Sequence, residues 1–222
     1  APAAAPAAAA AAPQVVVVAI PDSANTAALG YATELKEMGI DCTYEFGIIR
    51  NHYVGRTFIT PSQDARELKV RCKFNTVRRC FEDKIVVLVD DSIVRGTTSK
   101  QLIQMVRRSG AREVHFRAAS PAVKSPCFYG MDFPSKSELI ANQHASLADV
   151  AAALGADSLA YLSVEGMLQA VARTHPSAAS FCTACFTGNY PTPVPPIPGE
   201  EQLRKRKIEF EADSSSSSSS SS

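Results

Sequence analysis

The sequence lacks the features that mark membrane-spanning, disulfide-stabilised and broadly basic proteins. No apolar run approaches the roughly 20 residues that cross a bilayer. Six cysteines in 222 residues are too sparse for a disulfide scaffold, so we expect intracellular thiols or metal ligands. The net charge of +1 gives no chain-wide field that would attract nucleic acid or an anionic membrane. Any site for an anion must therefore be local.

The two ends of the chain have compositions that do not favour a packed core. Residues 1–13 are almost entirely Ala and Pro, and residues 214–222 are all serine. We expect disorder over 1–13 and 193–222, a globular domain over 14–175 and a cysteine-containing segment over 176–192. The N-terminal tract lacks the basic region of a signal peptide, so we predict an intracellular protein, either cytoplasmic or plastid.

Between these ends, apolar runs alternate with helical patterns. Strands are predicted at Gln14–Ile20, Cys42–Phe46, Ile85–Val89, Val114–Ala119 and Ser158–Leu162. Helices are predicted from Pro21 to Gly39, from Thr97 to Gly110, and over Ser137–Ala141, Leu147–Leu154 and Val164–Ala172. Tyr53–Ile59 is expected to be extended, and residues 61–84 are polar and basic with weak periodicity. This order predicts an α/β fold, with a mainly parallel, twisted sheet covered by helices on both faces.

The most informative stretch is a buried strand that ends in two carboxylates. Val86–Val89 runs directly into Asp90 and Asp91, a short turn containing Gly96 follows, and Thr97–Ser99 open a helix. In parallel sheets, ligands bind at the carboxyl ends of the strands. The alternative is a surface turn followed by an ordinary helix N-cap.

This stretch suits a phosphorylated ligand with a divalent cation. Paired carboxylates can hold hydroxyls or the water shell of Mg²⁺. Gly96 permits a tight turn, and the free N–H groups at the start of a helix favour an anion. The sequence contains neither a G-x-x-x-x-G-K-[ST] phosphate loop nor a dinucleotide-binding glycine pattern. The predicted site therefore belongs to another class of phosphate-binding fold.

The stretch resembles the ligand-binding motif of type I phosphoribosyltransferases, which bind 5-phosphoribosyl-1-pyrophosphate (PRPP). The resemblance implies that Asp90 and Asp91 contact the ribose hydroxyls, directly or through Mg²⁺. It also implies a PRPP-binding set that comprises the acid pair together with Ser92, Arg95, Gly96, Thr97, Thr98 and Ser99, of which Arg95 to Ser99 hold the 5-phosphate.

Five motifs narrow the resemblance to the glutamine PRPP amidotransferase family. They are Pro21–Ser23, Tyr53–Phe58, Val89–Ser99, Ser125–Gly130 and Cys182–Gly188, in that order. Together they look like the C-terminal half of that family over residues 14–192. The implied activity displaces pyrophosphate from PRPP with ammonia, giving 5-phosphoribosylamine in the first committed step of purine biosynthesis. The family takes its ammonia from glutamine through an N-terminal glutaminase domain, which nothing here resembles, so we expect dependence on free ammonia.

The resemblance also implies supporting residues around the acid pair. Ser23 corresponds to a Mg²⁺-associated serine, and it is also a candidate helix N-cap; the two roles are compatible. Tyr53, Arg56 and Lys73 are expected to support catalysis. His52 departs from the family, in which an arginine is usual at this position.

A basic stretch precedes the acid pair, at Arg66, Lys69, Arg71, Lys73, Arg78, Arg79 and Lys84. It is either a solvated helix face or, as the family implies, a flexible lid that closes over PRPP and stabilises the leaving pyrophosphate. On the lid hypothesis, deleting residues 70–80 leaves PRPP affinity measurable but abolishes turnover.

Three cysteines correspond to ligands of the [4Fe–4S] cluster that a subset of the family carries. They are Cys127, Cys182 and Cys185, and the family's fourth ligand has no counterpart in this chain. For Cys182-x-x-Cys185 taken alone, a zinc knuckle or free thiols would be the ordinary interpretation. Cys42, Cys72 and Cys80 do not correspond to ligand positions.

Two alternative functions remain open on the sequence. One is a different type I phosphoribosyltransferase, such as a purine salvage enzyme, and the other is a non-catalytic PRPP-sensing regulator. Both are disfavoured, because salvage enzymes do not need the cysteine motifs and no DNA-binding module occurs here. The family further implies purine nucleotide inhibitors and a homo-oligomer, with no nucleic-acid or membrane partner.

Overall fold

A computed structural model describes residues 13–53, 72–131, 133, 135–175 and 181–194. The chain divides into two units, residues 1–188 and residues 189–222, and every element below belongs to the first. Among the described residues, the strands are β1 Val15–Ala19, β2 Cys42–Glu45, β3 Ile48–Arg50, β4 Phe74–Thr76, β5 Ile85–Asp90, β6 Glu113–Ala118 and β7 Ser158–Tyr161. The α-helices in the same part of the chain are α1 Asn25–Glu37, α2 Thr97–Arg108, α3 Ile140–Gln143, α4 Leu147–Leu154, α5 Val164–Thr174 and α6 Ala184–Thr187.

Five of these strands form one parallel sheet in the order β2-β1-β5-β6-β7. Each of the five predicted strands lies in this sheet, so the predicted parallel α/β class is confirmed. The continuous apolar runs of β1 and β5 are explained by their central positions, because a strand covered on both faces has no solvent side.

Alternate residues of the central strands enter two different cores. Val16 and Val86 face the larger core, which receives Leu102 from α2 and Leu154 from α4. Val17, Val87 and their neighbours face a smaller core, which is closed by α1. Helices therefore cover both faces, as predicted.

The apolar stripe of α1 differs from the one that its sequence predicts. The spacing of Ala27, Tyr31, Leu35 and Met38 indicates the buried face, but Met38 is 67% exposed. The residues that α1 buries are small, Ala28 and Ala32, together with the preceding Ala24, while Ala27, Tyr31 and Leu35 pack at the edge of this core. Small side chains let the helix lie close to the sheet.

A hairpin that the sequence did not predict lies beside the sheet. Strands β3 and β4 pair antiparallel over three residues each, which is too short for alternation to appear in the sequence. Phe74, Cys80 and Phe81 are buried in the larger core. Deleting residues 70–80 would therefore remove β4 and core side chains as well as basic residues. The lid stays a prediction.

Other predictions fall outside the described residues. Residues 54–71, which include most of the predicted extended segment and the first half of the basic stretch, are among them, as are residues 1–12 and 195–222. Within the part of the chain that the structure describes, no helix is long and apolar enough to cross a membrane.

Candidate functional site

The acid pair lies at the carboxyl end of β5, between the ends of two neighbouring strands. Ile20 N–H, just after β1, donates to the Val89 carbonyl at 2.8 Å. On the other side, Ala119 N–H donates to the Asp90 carbonyl at 2.8 Å. The pair therefore lies on a firmly hydrogen-bonded edge, where parallel sheets bind their ligands.

The two carboxylates have different environments. Asp90 is buried, with 8% exposure, whereas Asp91 is exposed. The Asp91 N–H donates to Asp90 Oδ1 at 2.9 Å, and the Ser92 hydroxyl donates to Asp91 Oδ1 at 3.2 Å. Burial raises the pKa of Asp90 well above its usual range, and the charge of Asp91 raises it further. A cation beside the pair would relieve both effects, so these residues fit a Mg²⁺ site.

The turn after the acid pair is built around Gly96. Its φ is +74°, in the left-handed region, which disfavours residues with a side chain. A Cβ at this position would lie 2.4 Å from Ile140 Cδ1 and 2.9 Å from Leu154 Cδ2. Both the backbone conformation and the space therefore require glycine.

The start of α2 presents hydrogen-bond donors next to this turn. The Lys100 N–H donates to the Gly96 carbonyl at 2.9 Å, which closes the first turn of the helix. The N–H groups of Thr97, Thr98 and Ser99 therefore belong to the first turn, which has no intrahelical acceptors. They are positioned to receive an anion.

Arg95 is held by a partner that the sequence does not indicate. Its Nε donates to Glu138 Oε1 at 3.2 Å, and the Ile140 N–H donates to the Val94 carbonyl at 2.9 Å. The Ser135 hydroxyl and N–H, followed by Arg95, lower the pKa of Glu138. No local signal could have revealed this pair, because the two residues are far apart in sequence.

The end of β1 brings further polar groups to the same edge of the sheet. Asp22 pairs with Arg50 at 2.7 Å, and His52 Nδ1 lies 3.9 Å from the same carboxylate oxygen. Ser23 is exposed, and the N-cap of α1 is Ala24, so the N-cap interpretation of Ser23 is wrong. Its hydroxyl remains a candidate for the cation.

Two of the three predicted catalytic supports lie among the described residues. Tyr53 is fully exposed, and Lys73 Nζ lies 5.2 Å from the ring centroid of Phe74, in the hairpin. Arg56 lies outside the described residues. The roles of all three stay predictions.

The three cysteines of the predicted cluster come into one neighbourhood. Lys124 and Ser125 donate their N–H groups to the Cys185 carbonyl, both at 2.9 Å, which joins the Cys127 segment to α6. Burial raises the pKa of the Cys185 thiol, and the charges of Cys127 and Cys182 raise it further. Within the described ranges, no three His, Cys, Asp or Glu side chains are grouped closely enough to hold a metal. The thiols are neighbours, but they are not assembled into a ligand set.

Comparison with known proteins identifies relatives of one kind. No family model matches the chain. It is 52% identical over 179 residues to an amidophosphoribosyltransferase of Rhizobium etli, a match that covers 80% of this chain and 35% of that protein. It is 51% identical over 180 residues to the amidophosphoribosyltransferase of Bacillus subtilis, a match that covers 81% of this chain and 37% of that protein. It is 46% identical over 190 residues to amidophosphoribosyltransferase 2, chloroplastic, of Arabidopsis thaliana, covering 86% of this chain and 32% of that one. The chain thus spans about a third of the length of the curated relatives it matches.

A solved structure shows the same relationship in three dimensions. The glutamine PRPP amidotransferase of B. subtilis, complexed with ADP and GMP, superposes with a TM-score of 0.68 at 47% identity. The match covers 86% of this chain and 41% of that one.

Proposed function

We propose that the chain binds PRPP and transfers its phosphoribosyl group to ammonia. The support is that the chain is homologous to the amidophosphoribosyltransferases and has the type I phosphoribosyltransferase fold of their C-terminal half. Pyrophosphate leaves C1 of the ribose as the ammonia nitrogen attacks, and 5-phosphoribosylamine forms. In a whole protein of this family, the ammonia would come from glutamine.

The observation that carries the proposal is the acid pair followed by the phosphate turn. Asp90 and Asp91 leave β5 next to the Gly96 turn, and α2 begins directly after it. A ribose placed over the carboxylates would direct its 5-phosphate toward the N–H groups of Thr97–Ser99. Such a placement fixes both ends of the sugar, which is the main requirement of a displacement at C1.

A magnesium ion would be held at Asp90 and Asp91, with the Ser23 hydroxyl close to the same edge. When bound, it would neutralise charge on the pyrophosphate. The residues of the chain orient the ribose and its phosphate. Asp90 would receive a ribose hydroxyl, and the hydroxyls and N–H groups at the start of α2 would hold the 5-phosphate.

An iron–sulfur cluster would use the cysteine neighbourhood. Cys127, Cys182 and Cys185 would supply three thiolates, and a [4Fe–4S] cluster normally needs four. Cys42 and Cys80 are buried in the two cores, away from this role. The fourth ligand would have to come from another segment, so we propose the cluster as a property of a longer protein.

Purine nucleotides are the proposed regulators, in a homo-oligomer. The support for nucleotide regulation is that the B. subtilis neighbour was solved with ADP and GMP, and that the name of another neighbour is the allosteric regulatory enzyme of purine biosynthesis.

One assay tests the proposed function. Purified chain is incubated with PRPP, MgCl₂ and NH₄Cl, and pyrophosphate release is followed. Release that depends on ammonia supports the proposal. Release that depends on a purine base instead would indicate a salvage enzyme, and tight PRPP binding without release would indicate a regulator.

A further inference from the structure

One face of the parallel sheet is covered by helix over only part of its width. The smaller core on this face is built from α1, the N-cap of α1 and strands β1, β2 and β5, and no described residue of β6 or β7 belongs to it. Arg117 of β6 is registered beside Val89 of β5, which faces this core. Side chains alternate along a strand, so Glu113, His115 and Arg117 lie on this face, just beyond the cover of α1.

Polar side chains joined by hydrogen bonds occupy this part of the face. Arg117 Nη1 donates to Ser158 Oγ of β7 at 3.0 Å, and Ser158 Oγ lies 2.8 Å from His115 Nδ1. His115 Nε2 lies 3.2 Å from Glu113 Oε2. At the other end, Arg117 Nε donates to Tyr31 Oη of α1 at 3.3 Å. We refer to these residues as the β6 polar chain, which fixes the orientation of the Arg117 guanidinium group beside α1.

The charge of Arg117 has no counterion within the described ranges. Its acceptors are the Phe116 carbonyl, at 2.9 Å, and the hydroxyls of Ser158 and Tyr31, all of them neutral. No ion pair among the described residues includes Arg117. Glu113, the carboxylate of the β6 polar chain, lies four residues away along the strand, a separation of about 13 Å. Arginine is half-buried here, and a charge withdrawn from water is normally paired, so an anion is missing.

Two hydrogen-bond donors next to this charge are also unused. Arg117 Nη2 has no partner among the described residues. The unpaired side-chain atoms that are shielded from solvent belong to other residues, Thr43, Arg50, Gln101 and Tyr161. Arg117 Nη2 is therefore both unpaired and open to solvent. It lies on the same edge of the guanidinium group as Nε–H, which donates to Tyr31 Oη. The hydroxyl hydrogen of Tyr31 has no acceptor in the same part of the chain, so two free donors lie side by side.

We propose that Arg117 Nη2 and the Tyr31 hydroxyl bind a carboxylate group. One carboxylate oxygen accepts from Nη2 and the other from Tyr31, and the group supplies the counterion that Arg117 lacks. A single guanidinium charge matches a carboxylate monoanion, whereas a phosphate dianion would leave one negative charge unbalanced. The β6 polar chain holds Arg117 in place before binding, which lowers the cost of ordering it. The chemistry is the same for a small molecule and for an acidic side chain, and two probes separate these sources.

This site is separate from the acid pair. Asp90 alternates with Leu88, which faces the larger core, whereas Arg117 lies on the opposite face of the sheet. The Arg117 side chain reaches Ser158, the cross-strand neighbour of His115, so it runs toward the amino ends of the strands and away from the carboxyl end. The inference therefore does not depend on the proposed enzymatic activity.

Acetate is the smallest probe of this site. Sodium acetate is exchanged for NaCl at constant ionic strength, and ¹⁵N-labelled protein is followed through the Arg117 Nε–Hε resonance and the backbone resonances of residues 31, 117 and 158. These should shift with saturation. Tyr31→Phe keeps the ring and removes the hydroxyl, so it should weaken acetate binding by about five- to tenfold. Arg117→Met removes the charge and both donors of Nη2, and it should abolish the saturable shifts of the backbone resonances.

Matched controls carry the same substitutions elsewhere. Tyr44→Phe also removes a hydroxyl beside the smaller core, one that donates to the Asn25 carbonyl, and Arg112→Met removes an exposed arginine just before β6. Neither should change acetate binding. Equal acetate affinity in wild type and Tyr31→Phe, or the same shifts with NaCl alone, would overturn the proposal.

The second probe is the N-acetyl, N-methylamide derivative of aspartate, which carries a carboxylate on a peptide-like frame. Tighter binding than acetate would support the site and assign its carboxylate to a protein side chain, whereas equal or weaker saturable binding would support the site and assign it to a small molecule. Loss of PRPP turnover with acetate binding intact would count against the enzymatic function alone.

Discussion

The acid pair and the cysteine neighbourhood differ in how the chain assembles them. Asp90 to Ser99 form one continuous segment between β5 and α2, and backbone hydrogen bonds from both neighbouring strands hold its start. Cys127, Cys182 and Cys185 come from segments that are far apart in sequence, and they approach one another without forming a metal-binding group among the described residues. The first site is fixed by the fold of one segment, whereas the second depends on the packing of two segments and on a bound group.

The largest effect should follow from removing the acid pair. Asp91→Asn is expected to lower ammonia-dependent pyrophosphate release by roughly 10²–10³-fold, because it removes a charge that orients ribose and cation. Turnover with PRPP and NH₄Cl measures the loss. The melting temperature should stay within a few degrees of wild type, since Asp91 is exposed. Turnover equal to wild type would show that the acid pair is not part of the site.

Gly96→Ala tests how strictly the phosphate turn is built. The added Cβ would meet Ile140 and Leu154 at a positive φ, so the free energy of unfolding should fall by about 2–4 kcal/mol. Urea denaturation measures it. Gly39→Ala is the matched control, because its φ is +82° but no atom lies within 4 Å of the added Cβ, and it should cost only about 1 kcal/mol. Equal losses in the two variants would show that the packing around the turn is unimportant.

The pH dependence of stability should reveal the buried charge of Asp90. Its pKa is raised in the folded state, so between about pH 4 and that raised pKa the folded chain binds more protons than the unfolded chain. The contribution of Asp90 to stability is therefore greatest below about pH 4 and is lost as the pH rises through this window. Denaturation at several pH values in EDTA should show wild type losing stability relative to Asp90→Asn.

Magnesium should counter that loss. Adding MgCl₂ near neutral pH is expected to stabilise wild type and to leave Asp90→Asn nearly unchanged, because the cation offsets the buried carboxylate. Identical responses of the two proteins would argue against a cation at Asp90.

The smallest effect on turnover should come from the cysteines. In a longer protein that supplies the fourth ligand, Cys185→Ser is expected to lower the iron and sulfide retained after anaerobic reconstitution, while ammonia-dependent turnover changes by less than about threefold. Cys72→Ser, at an exposed position outside the neighbourhood, is the control for both measurements. A loss of turnover as large as that of Asp91→Asn would show that the two regions are not independent.

The sequence predicted what is local and repeated. The apolar runs of β1 and β5 predicted buried strands of a parallel sheet, and the continuous segment from Asp90 to Ser99 predicted a turn followed by the start of a helix. Features that depend on residues far apart in sequence were not predicted. The β3–β4 hairpin is too short to show alternation, and the Arg95–Glu138 pair joins distant segments.

The α1 stripe shows a different limit. The large apolar residues at helical spacing predict which face of α1 is buried. The residues that the helix buries against the sheet are instead the small Ala28 and Ala32. The predicted stripe therefore lay partly at the edge of the core. Periodicity locates a helix more reliably than it identifies which side of that helix is covered.

Calorimetric titration of PRPP in the presence of MgCl₂ tests the central claim most directly. Wild type should bind one PRPP per chain with saturation, and the Asp90→Asn, Asp91→Asn double variant should show no saturable binding under the same conditions. Saturable binding of equal affinity by both proteins would contradict the assignment of the acid pair and the phosphate turn as the PRPP site.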